Sequence, residues 1–212
     1  MLQGFRLTMV SIICIALALG CAGRAVKRAP IDSVPAGLEP DLRIEMLEEM
    51  TEEHPDDANL FFEIGNLYYD EAMPSEAKCS YEKALAIDPK MNSARVNLAM
   101  LLAESGEIDS AKVLLEEAIA VDPKDAKAYN NLGTIHYTEK DIDRAVKYYT
   151  KGIELEPTNV EARYNLGLAF AESGLLLEAI REWRAVLEIE EESETAQRAR
   201  LSLDRVERTL KK

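Results

Sequence analysis

The sequence has few residues from which an enzyme could build a reactive site or a disulfide framework. It contains three cysteines and two histidines in 212 residues, and none of the spacings HExxH, CxxC, GxSxG, GxGxxG or a phosphate-binding loop occurs. Cys14 and Cys21 lie in or at the end of the first apolar run, so Cys79 has no partner for an internal disulfide in the rest of the chain. We therefore predict a protein that is not an enzyme and needs no cofactor.

The remaining reactive side chains are predicted to be structural. His136 occupies an aromatic position on a helical stripe, and His54 precedes a proline at a helix end. Cys79 lies beside a stripe of small residues, which favours a packing role over a nucleophilic one. The many carboxylates fall on the solvent faces of predicted helices, where they serve solubility.

Positive charge is scarce in the body of the chain. Residues 41–193 hold 34 acidic and 15 basic side chains, a net charge of −19, whereas residues 194–212 hold three acidic and six basic ones. An acidic body repels phosphate backbones, so a nucleic-acid partner is excluded, and no small-molecule substrate is predicted.

The N-terminus predicts export. Residues 1–20 carry one basic residue, Arg6, ahead of an apolar segment from Leu7 to Leu19, which is short for a membrane-spanning helix of about 20 residues. The segment ends Ala18-Leu19-Gly20-Cys21 and resembles the lipobox of bacterial lipoproteins. The resemblance implies that Cys21 becomes the lipidated first residue; an uncleaved anchor or an ordinary signal cut near Ala22 is the alternative.

The lipobox resemblance also implies a location. The residue after the cysteine is Ala22 and not the aspartate that retains enterobacterial lipoproteins at the inner membrane, which favours the outer membrane, facing the periplasm. Residues 21–40 contain three prolines and two glycines and are predicted to be a flexible linker. Arg24, Lys27 and Arg28 either touch anionic lipid head groups or are merely solvated.

A repeat organises the rest of the chain. The segment AKCSYEKALAIDP, at residues 77–89, recurs 34 residues later as AKVLLEEAIAVDP, then as AVKYYTKGIELEP, and finally as AIREWRAVLEIEE. A fixed period of this length predicts stacked supersecondary units and not one globular core. The units occupy residues 58–91, 92–125, 126–159 and 160–193, and we number positions from the first residue of each unit.

Each unit predicts two helices. Positions 4, 7, 8 and 11 form one helical stripe, and position 8 is always Gly or Ala; positions 20, 24 and 27 form a second stripe. Gly106 and Gly174 are expected at the turns between helices, and prolines follow the second helix of the first three units. Arg95 and Arg163 depart from the pattern at position 4 and are expected to cover the pocket with their stems while their charges stay in water.

These residues resemble the tetratricopeptide repeat. The resemblance implies an all-α, right-handed superhelical solenoid of about four helix-turn-helix units with a capping helix at each end. The N-terminal cap spans residues 41–57, with a helix to Glu53 that buries Leu42, Leu47 and Met50. The C-terminal cap spans residues 194–212 and is basic: it either complements the acidic array or docks an acidic or lipid surface. Because Glu191 replaces the proline, the second helix of unit four is expected to run further than the others.

In this family the first helices line the inner wall of the superhelix. Positions 2, 5, 6, 9, 12 and 13 lie opposite the buried stripe and are predicted to face a peptide-binding groove. The candidate groove residues are Phe62, Asn66, Tyr69, Val96, Asn97, Met100, Asn130, Asn131, Tyr137, Tyr164, Asn165 and Leu168. The family's clamp for terminal carboxylates is rejected, because Phe62, Ser93 or Val96, and Asn165 stand where basic residues are needed.

Asn97, Asn131 and Asn165 share position 6. A side-chain amide both donates and accepts, so a row of them can pair with the backbone of an extended peptide without reading its sequence. The row resembles the asparagine ladder of the O-GlcNAc transferase repeat domain, although Glu63 interrupts it in unit one. A solvated helix face is the alternative.

The combined resemblances imply a membrane-anchored scaffold that binds protein or extended peptide in the cell envelope. Proteins with both a lipobox and such repeats include the pilotin-type lipoproteins of type IV pili, which help a secretin assemble in the outer membrane. Others collect cell-wall enzymes, and an adaptor for periplasmic hydrolases is the second hypothesis. An enzyme is the competing class.

Overall fold

The computed structural model describes residues 34–35 and 37–210. Ten α-helices and no strands occur in these ranges, which confirms the all-α repeat solenoid. In chain order the helices are α1 Pro40–Glu53, α2 Ala58–Asp70, α3 Pro74–Ile87, α4 Asn92–Glu104, α5 Ile108–Val121, α6 Ala126–Thr138, α7 Ile142–Leu155, α8 Val160–Glu172, α9 Leu176–Ile189 and α10 Glu194–Leu210.

The helices of the four units begin and end at the same repeat positions. The first helix of each occupies positions 1–13 and the second positions 17–30. In three units the residue before the first helix caps it with a side-chain oxygen that accepts a backbone N–H: Asp57, Asp125 and Asn159. Each helix packs against the next along the chain, and α4 also contacts α6, which contacts α8. The first helices of neighbouring repeats therefore form one continuous wall.

The turn between the two helices requires a left-handed residue at position 15. Gly106 and Gly174 take φ values of 88° and 78° there, which confirms their predicted role. Ala72 and Lys140 occupy the same position with φ values of 56° and 66°. The sequence does not indicate these two turns, because neither alanine nor lysine favours the left-handed conformation by itself.

The helix pair of each repeat packs through positions 8 and 24. A Cβ placed on Gly65, Gly133 or Gly167 would come within 2.6, 2.7 and 2.3 Å of the aromatic ring at position 24 of the same repeat. Repeat two instead combines Ala99 with Leu115, and both are buried. The glycine is thus matched to the aromatic side chain that lies on it.

Three expectations about the ends of the array are corrected. Helix α9 ends at Ile189, at position 30 like its counterparts, because the backbone of Glu190 is extended, with φ −137° and ψ 117°, even without a proline after it. In α1 the buried residues are Ile44 and Leu47, whereas Leu42 is 37% exposed.

The C-terminal helix packs through its first half. Ala196, Ala199 and Leu203 of α10 are buried, Val206 is partly buried, and Leu210 is exposed. The spacing of Ala199, Leu203, Val206 and Leu210 predicts one apolar stripe along this helix. The buried face instead begins one turn earlier, at Ala196, and ends before Leu210.

The charges of both position-4 arginines are paired with protein groups, and that of Arg95 is buried. Arg95 is 7% exposed, and its guanidinium donates to the Pro89 carbonyl and, over 3.2 Å, to Asn92 Oδ1. Its Nε lies 3.6 Å from a carboxylate oxygen of Glu117. The stem fills the core as expected, but the head group is buried and paired, which is the condition under which a buried charge is tolerated.

Arg163 follows the same pattern. It donates to the Pro157 carbonyl over 2.8 Å and forms a 2.8 Å ion pair with Glu182.

No helix in the described part of the chain is long and apolar enough to cross a membrane. The predicted signal segment, Cys21, most of the linker, and Lys211 and Lys212 lie outside the described residues.

Candidate functional site

The first helices of repeats one and two enclose a cavity of about 560 Å³, which we call the N-terminal cavity. Its apolar lining comes from Phe62 and Tyr69 of α2 and from Val96 and Met100 of α4. Asn66, Asn97 and the Tyr81 side chain of α3 complete the floor. Six of the twelve candidate groove residues are therefore brought together at one site.

The cavity floor differs from its rim in exposure. Val96 is only 2% exposed and is held in the main core, so one edge of it reaches the cavity. Tyr69 and Met100 are 36% and 38% exposed, which leaves a large apolar surface for a ligand. Apolar walls with a few polar groups are typical of binding clefts.

Tyr69 is fixed at the rim by Glu104. Its hydroxyl donates a 2.7 Å hydrogen bond to Glu104 Oε1, across to the next repeat. The accepting carboxylate stabilises the neutral phenol and, with burial, raises the pKa of Tyr69 to about 12. The ring is therefore neutral at physiological pH and presents a fixed face to the groove.

Three polar side chains form a hydrogen-bonded network under the N-terminal cavity. Asn97 Nδ2 donates to Asn66 Oδ1 over 2.9 Å, and the Tyr81 hydroxyl donates to the same oxygen over 3.0 Å. Burial raises the pKa of Tyr81 to about 12, so this donor keeps its proton. The predicted amide row is therefore not uniform, because Asn97 already uses a donor within the fold.

A second cavity, of about 300 Å³, continues the groove across repeats two to four; we call it the amide cavity. Its lining residues carry side-chain amides from three helices and one helix cap: Asn97, Asn130, Asn131, Asn165 and the cap residue Asn159. Asn131 and Asn165 make no side-chain hydrogen bond to another described residue. Their donors and acceptors are therefore free to serve a ligand.

Asn130 differs from its neighbours in the amide cavity. Both of its amide atoms are buried, and neither has a hydrogen-bond partner among the residues that the structure describes. Native proteins pair almost all buried polar groups, so an exception needs a reason.

The groove is closed at its C-terminal end, contrary to expectation. Tyr164 was predicted to face the groove, but it is 7% exposed and belongs to the core around Trp183. The guanidinium of Arg198, on α10, lies 4.3 Å from its ring centroid, and Arg198 is held in turn by Glu161 over 2.9 Å. The C-terminal helix therefore covers Tyr164 and closes this end of the groove.

Leu168 and Tyr137 line neither of the two cavities described above. Leu168 is partly buried against the core under α10. The Tyr137 ring lies beneath Lys140, whose Nζ is 5.5 Å from the centroid. Burial, with the Glu172 carboxylate nearby, raises the pKa of Tyr137 to about 12.

The groove carries more negative than positive charge. Two carboxylates, Asp70 and Asp125, and one cation, Lys127, border the N-terminal cavity. A third carboxylate, Glu104, accepts the hydrogen bond of Tyr69 at the rim. Asp125 is partly committed, since one oxygen caps α6 and the other accepts from Asn92. Such a rim favours cationic ligands.

The structural roles predicted for His136 and Cys79 have different outcomes. His136 is 5% exposed in the core and stacks on Tyr148 with 5.2 Å between ring centroids. Burial lowers the pKa of His136, against the opposing effect of Asp141 and Glu139. Cys79 is exposed, so the packing role predicted for it is wrong. No group of three or more potential metal ligands occurs among the described residues.

Several residues of the site were missed by the sequence reasoning. The sequence pattern places Arg198 only within the basic C-terminal cap and gives Asp125, Lys127 and Gly152 no part in the groove. The pairing of Asn130 with Gly152 could have been found, because both residue types are unique to repeat three at their positions.

Comparison with known proteins agrees with the helical repeat. A family model described as the TPR domain of cytochrome c-type biogenesis protein H matches residues 46–155, just over half the chain, and a tetratricopeptide repeat model matches residues 148–181. No curated protein sequence matches.

Solved structures share the fold. MamA is 28% identical, with a TM-score of 0.63 over 72% of this chain and 89% of its own. MamA from Desulfovibrio magneticus RS-1 is 20% identical, with a TM-score of 0.62 over 73% of this chain and 88% of its own. YrrB, described as a TPR protein with an unusual peptide-binding site, is 22% identical, with a TM-score of 0.58 over 76% and 83%.

Proposed function

The chain belongs to the tetratricopeptide-repeat family, and from this premise we propose that its groove binds an extended, cationic segment of another protein. Proteins built from these repeats are generally interaction scaffolds without catalytic activity, and we extend this to the present chain. The observation that carries the proposal is the continuous groove formed by the N-terminal and amide cavities, which has apolar walls and free amides.

The shape and chemistry of the groove support an extended occupant. An extended polypeptide presents alternate side chains to a surface and leaves its backbone donors and acceptors unpaired. Tyr69 and Met100 offer apolar surface to the side chains, and Asn131 and Asn165 offer amides to the backbone. The two kinds of contact therefore lie side by side along one path.

The charge of the array supports a cationic occupant. The net charge of −19 over residues 41–193 attracts basic segments and repels acidic ones. We expect affinity to fall as salt is added, since exposed charges are screened over about 10 Å at 0.1 M ionic strength.

The test is a peptide selection followed by matched lysine variants. A random library of 12-residue peptides is selected against the full chain in detergent micelles, and the tightest peptide is measured by fluorescence anisotropy. Met100→Lys places a cation in the groove and should weaken binding at least tenfold, about 1.4 kcal/mol. Met73 is equally exposed, at 38%, and does not line either groove cavity, so Met73→Lys should change affinity less than twofold.

Two results would count against this function. Either no peptide binds with measurable affinity, or Met73→Lys weakens binding as much as Met100→Lys does. Circular dichroism confirms that both variants keep their helices before affinity is compared.

We further propose that Cys21 carries the lipid that anchors the array, with residues 21–40 as its tether to the periplasmic face of the outer membrane. Support comes from the lipobox-like sequence alone. More than one acyl chain makes such anchoring stable, at about 0.8 kcal/mol per buried methylene. Cys21→Ser should abolish membrane retention; unchanged retention, with no acylated N-terminal peptide in the wild type, would contradict the proposal.

The pathway we propose is assembly of a secretin or of a type IV pilus machine. Deletion should then remove pili and secretin multimers. Altered cell-wall turnover with normal pili would instead favour the adaptor for periplasmic cell-wall enzymes.

A further inference from the structure

Repeat three departs from the other repeats at two positions that touch each other. Position 5 is apolar in the other repeats, where it is Phe62, Val96 or Tyr164, but it is Asn130 in repeat three. Position 27 carries a larger side chain in the other repeats, where it is Ala84, Ala118 or Val186, but it is Gly152 in repeat three. The two exceptions occur in the same repeat, on facing helices α6 and α7.

The glycine makes room for the asparagine. A Cβ placed on Gly152 would lie 1.8 Å from Asn130 Oδ1 and 2.6 Å from its Cγ. The side chain of Asn130 therefore occupies the volume that any other residue at position 152 would fill. With alanine at this position, Asn130 could not keep its present rotamer.

The position of Asn130 against Gly152 is unfavourable for its amide. Neither Oδ1 nor Nδ2 finds a partner within the described residues, although both are buried. Burial without a hydrogen bond removes the hydration of a polar group and puts no protein hydrogen bond in its place, which costs free energy. Asn130 also borders the amide cavity, beside Asn131 and Asn165. A change of rotamer toward that cavity would give the amide access to whatever the groove holds.

We propose that Asn130 is a retractable hydrogen-bonding arm, which lies against Gly152 in the free protein and turns into the groove to pair with the backbone of a bound extended polypeptide. The inference rests on the proposed function. A backbone peptide unit offers one acceptor and one donor, which match the Nδ2 and Oδ1 of a side-chain amide. Binding thus replaces two unpaired groups with two hydrogen bonds, without requiring a particular side chain in the ligand.

The arm gives Gly152 a functional role. When the binding-competent rotamer is a minor one, the measured affinity is reduced by its fractional population. Gly152→Ala excludes the retracted rotamer and should therefore tighten binding. A residue that merely packs would show the opposite result, because a clash in the core would loosen the fold.

The experiment compares four full-length proteins in detergent: wild type, Gly152→Ala, Asn130→Val, and the double variant. The probe is the selected cationic 12-residue peptide, followed by fluorescence anisotropy. We expect Gly152→Ala to bind roughly threefold to tenfold more tightly and Asn130→Val to bind about tenfold more weakly. The double variant copies the Val96 and Ala118 pair of repeat two, so it should stay folded and bind as weakly as Asn130→Val, without the gain from alanine.

The outcomes separate this inference from the function on which it rests. If the wild type binds no peptide, the proposed function fails. If the wild type binds and Met100→Lys weakens it, but Gly152→Ala does not tighten it or Asn130→Val is unchanged, the arm is refuted and the function stands. Should a variant unfold, the side-chain amide resonances of Asn130 in the wild type decide: they must shift on peptide addition, and unshifted resonances overturn the inference.

Discussion

Position 5 carries Asn130 in repeat three and Tyr164 in repeat four, and the two side chains have different surroundings. Asn130 borders a cavity, while Tyr164 lies under Arg198 of α10. The contrast continues at position 11, where repeat three buries His136 and repeat four has Phe170. The same repeat fold thus carries polar residues at positions 5 and 11 where the groove is open, and aromatic residues there where the last helix covers it.

The comparison separates what holds the array together from what is left for a ligand. In repeat four the Trp183 indole N–H donates to the Tyr164 carbonyl over 3.1 Å, and α10 adds Ala196, Ala199 and Leu203 to the same core. A terminal repeat needs such a cover, because its outer face would otherwise be exposed. Repeat three is covered by a repeat on each side, so its groove positions need not supply stability.

The largest expected effect is the loss of the tryptophan in repeat four. Trp183→Ala removes a side chain that is 2% exposed and leaves Gly167 facing a void. The free energy of unfolding should fall by about 3 to 5 kcal/mol, measured by urea denaturation with circular dichroism. The control, Asn130→Val in repeat three, should cost far less. Equal losses at the two sites would contradict the division between a closed and an open repeat.

A smaller effect of opposite sign is expected when repeat three is made to resemble repeat four. His136→Phe replaces a buried imidazole whose Nδ1 has no hydrogen-bond partner in the described part of the chain. The free energy of unfolding at neutral pH should rise by about 1 kcal/mol. An unchanged or lower value would show that His136 is satisfied in the fold.

The same variant carries a pH prediction. Burial lowers the pKa of His136 below its ordinary 6.5, so in acid the unfolded chain binds a proton that the folded chain does not. Stability from this residue is therefore fully present above pH 6.5 and is lost as the pH falls from there through the lowered pKa of the folded chain. The wild type should lose stability on acidification through this window more steeply than His136→Phe does; identical slopes would assign the loss to other groups.

The smallest expected effect is on stability when the contact between α10 and Tyr164 is weakened. Arg198→Ala removes the guanidinium from the Tyr164 ring and its 2.9 Å ion pair with Glu161. Contacts of this kind are worth about 0.5 to 1 kcal/mol at partly exposed sites. Because Trp183 is the one tryptophan of the chain, its fluorescence reports on this end alone. Acrylamide quenching should increase in Arg198→Ala, and Arg205→Ala, on the same helix, should leave it unchanged.

The period and the faces of the helices could be predicted because they depend on neighbours in sequence. Ala77, Tyr81 and Ala84 are buried where a stripe at positions 20, 24 and 27 places them. The same reasoning failed where a distant residue decides. Tyr164 has the spacing of a groove residue, but Arg198, 34 positions later, covers it.

The position-4 arginines and Cys79 illustrate the same limit. The charge of Arg95 is held by Glu117 on the next helix, and periodicity does not reveal which carboxylate lies within reach. Cys79 is only two residues from the buried Ala77, yet a helix turns about 200° over two residues, so the thiol is exposed. The buried, unpaired amide of Asn130 depends on the spacing of α6 and α7, which only the structure shows.

The proposed function requires that the groove lined by the first helices of the repeats, and not the outer surface, takes the ligand. The most direct measurement is a methyl NMR titration of the methionine-labelled full chain in detergent with the selected cationic peptide. Met100 and Met73 are equally exposed, at 38%, so they form an internal pair, inside and outside the groove. We predict that the Met100 methyl resonance shifts with the binding curve while that of Met73 stays in place; a shift of Met73 with Met100 unmoved would contradict the proposed function.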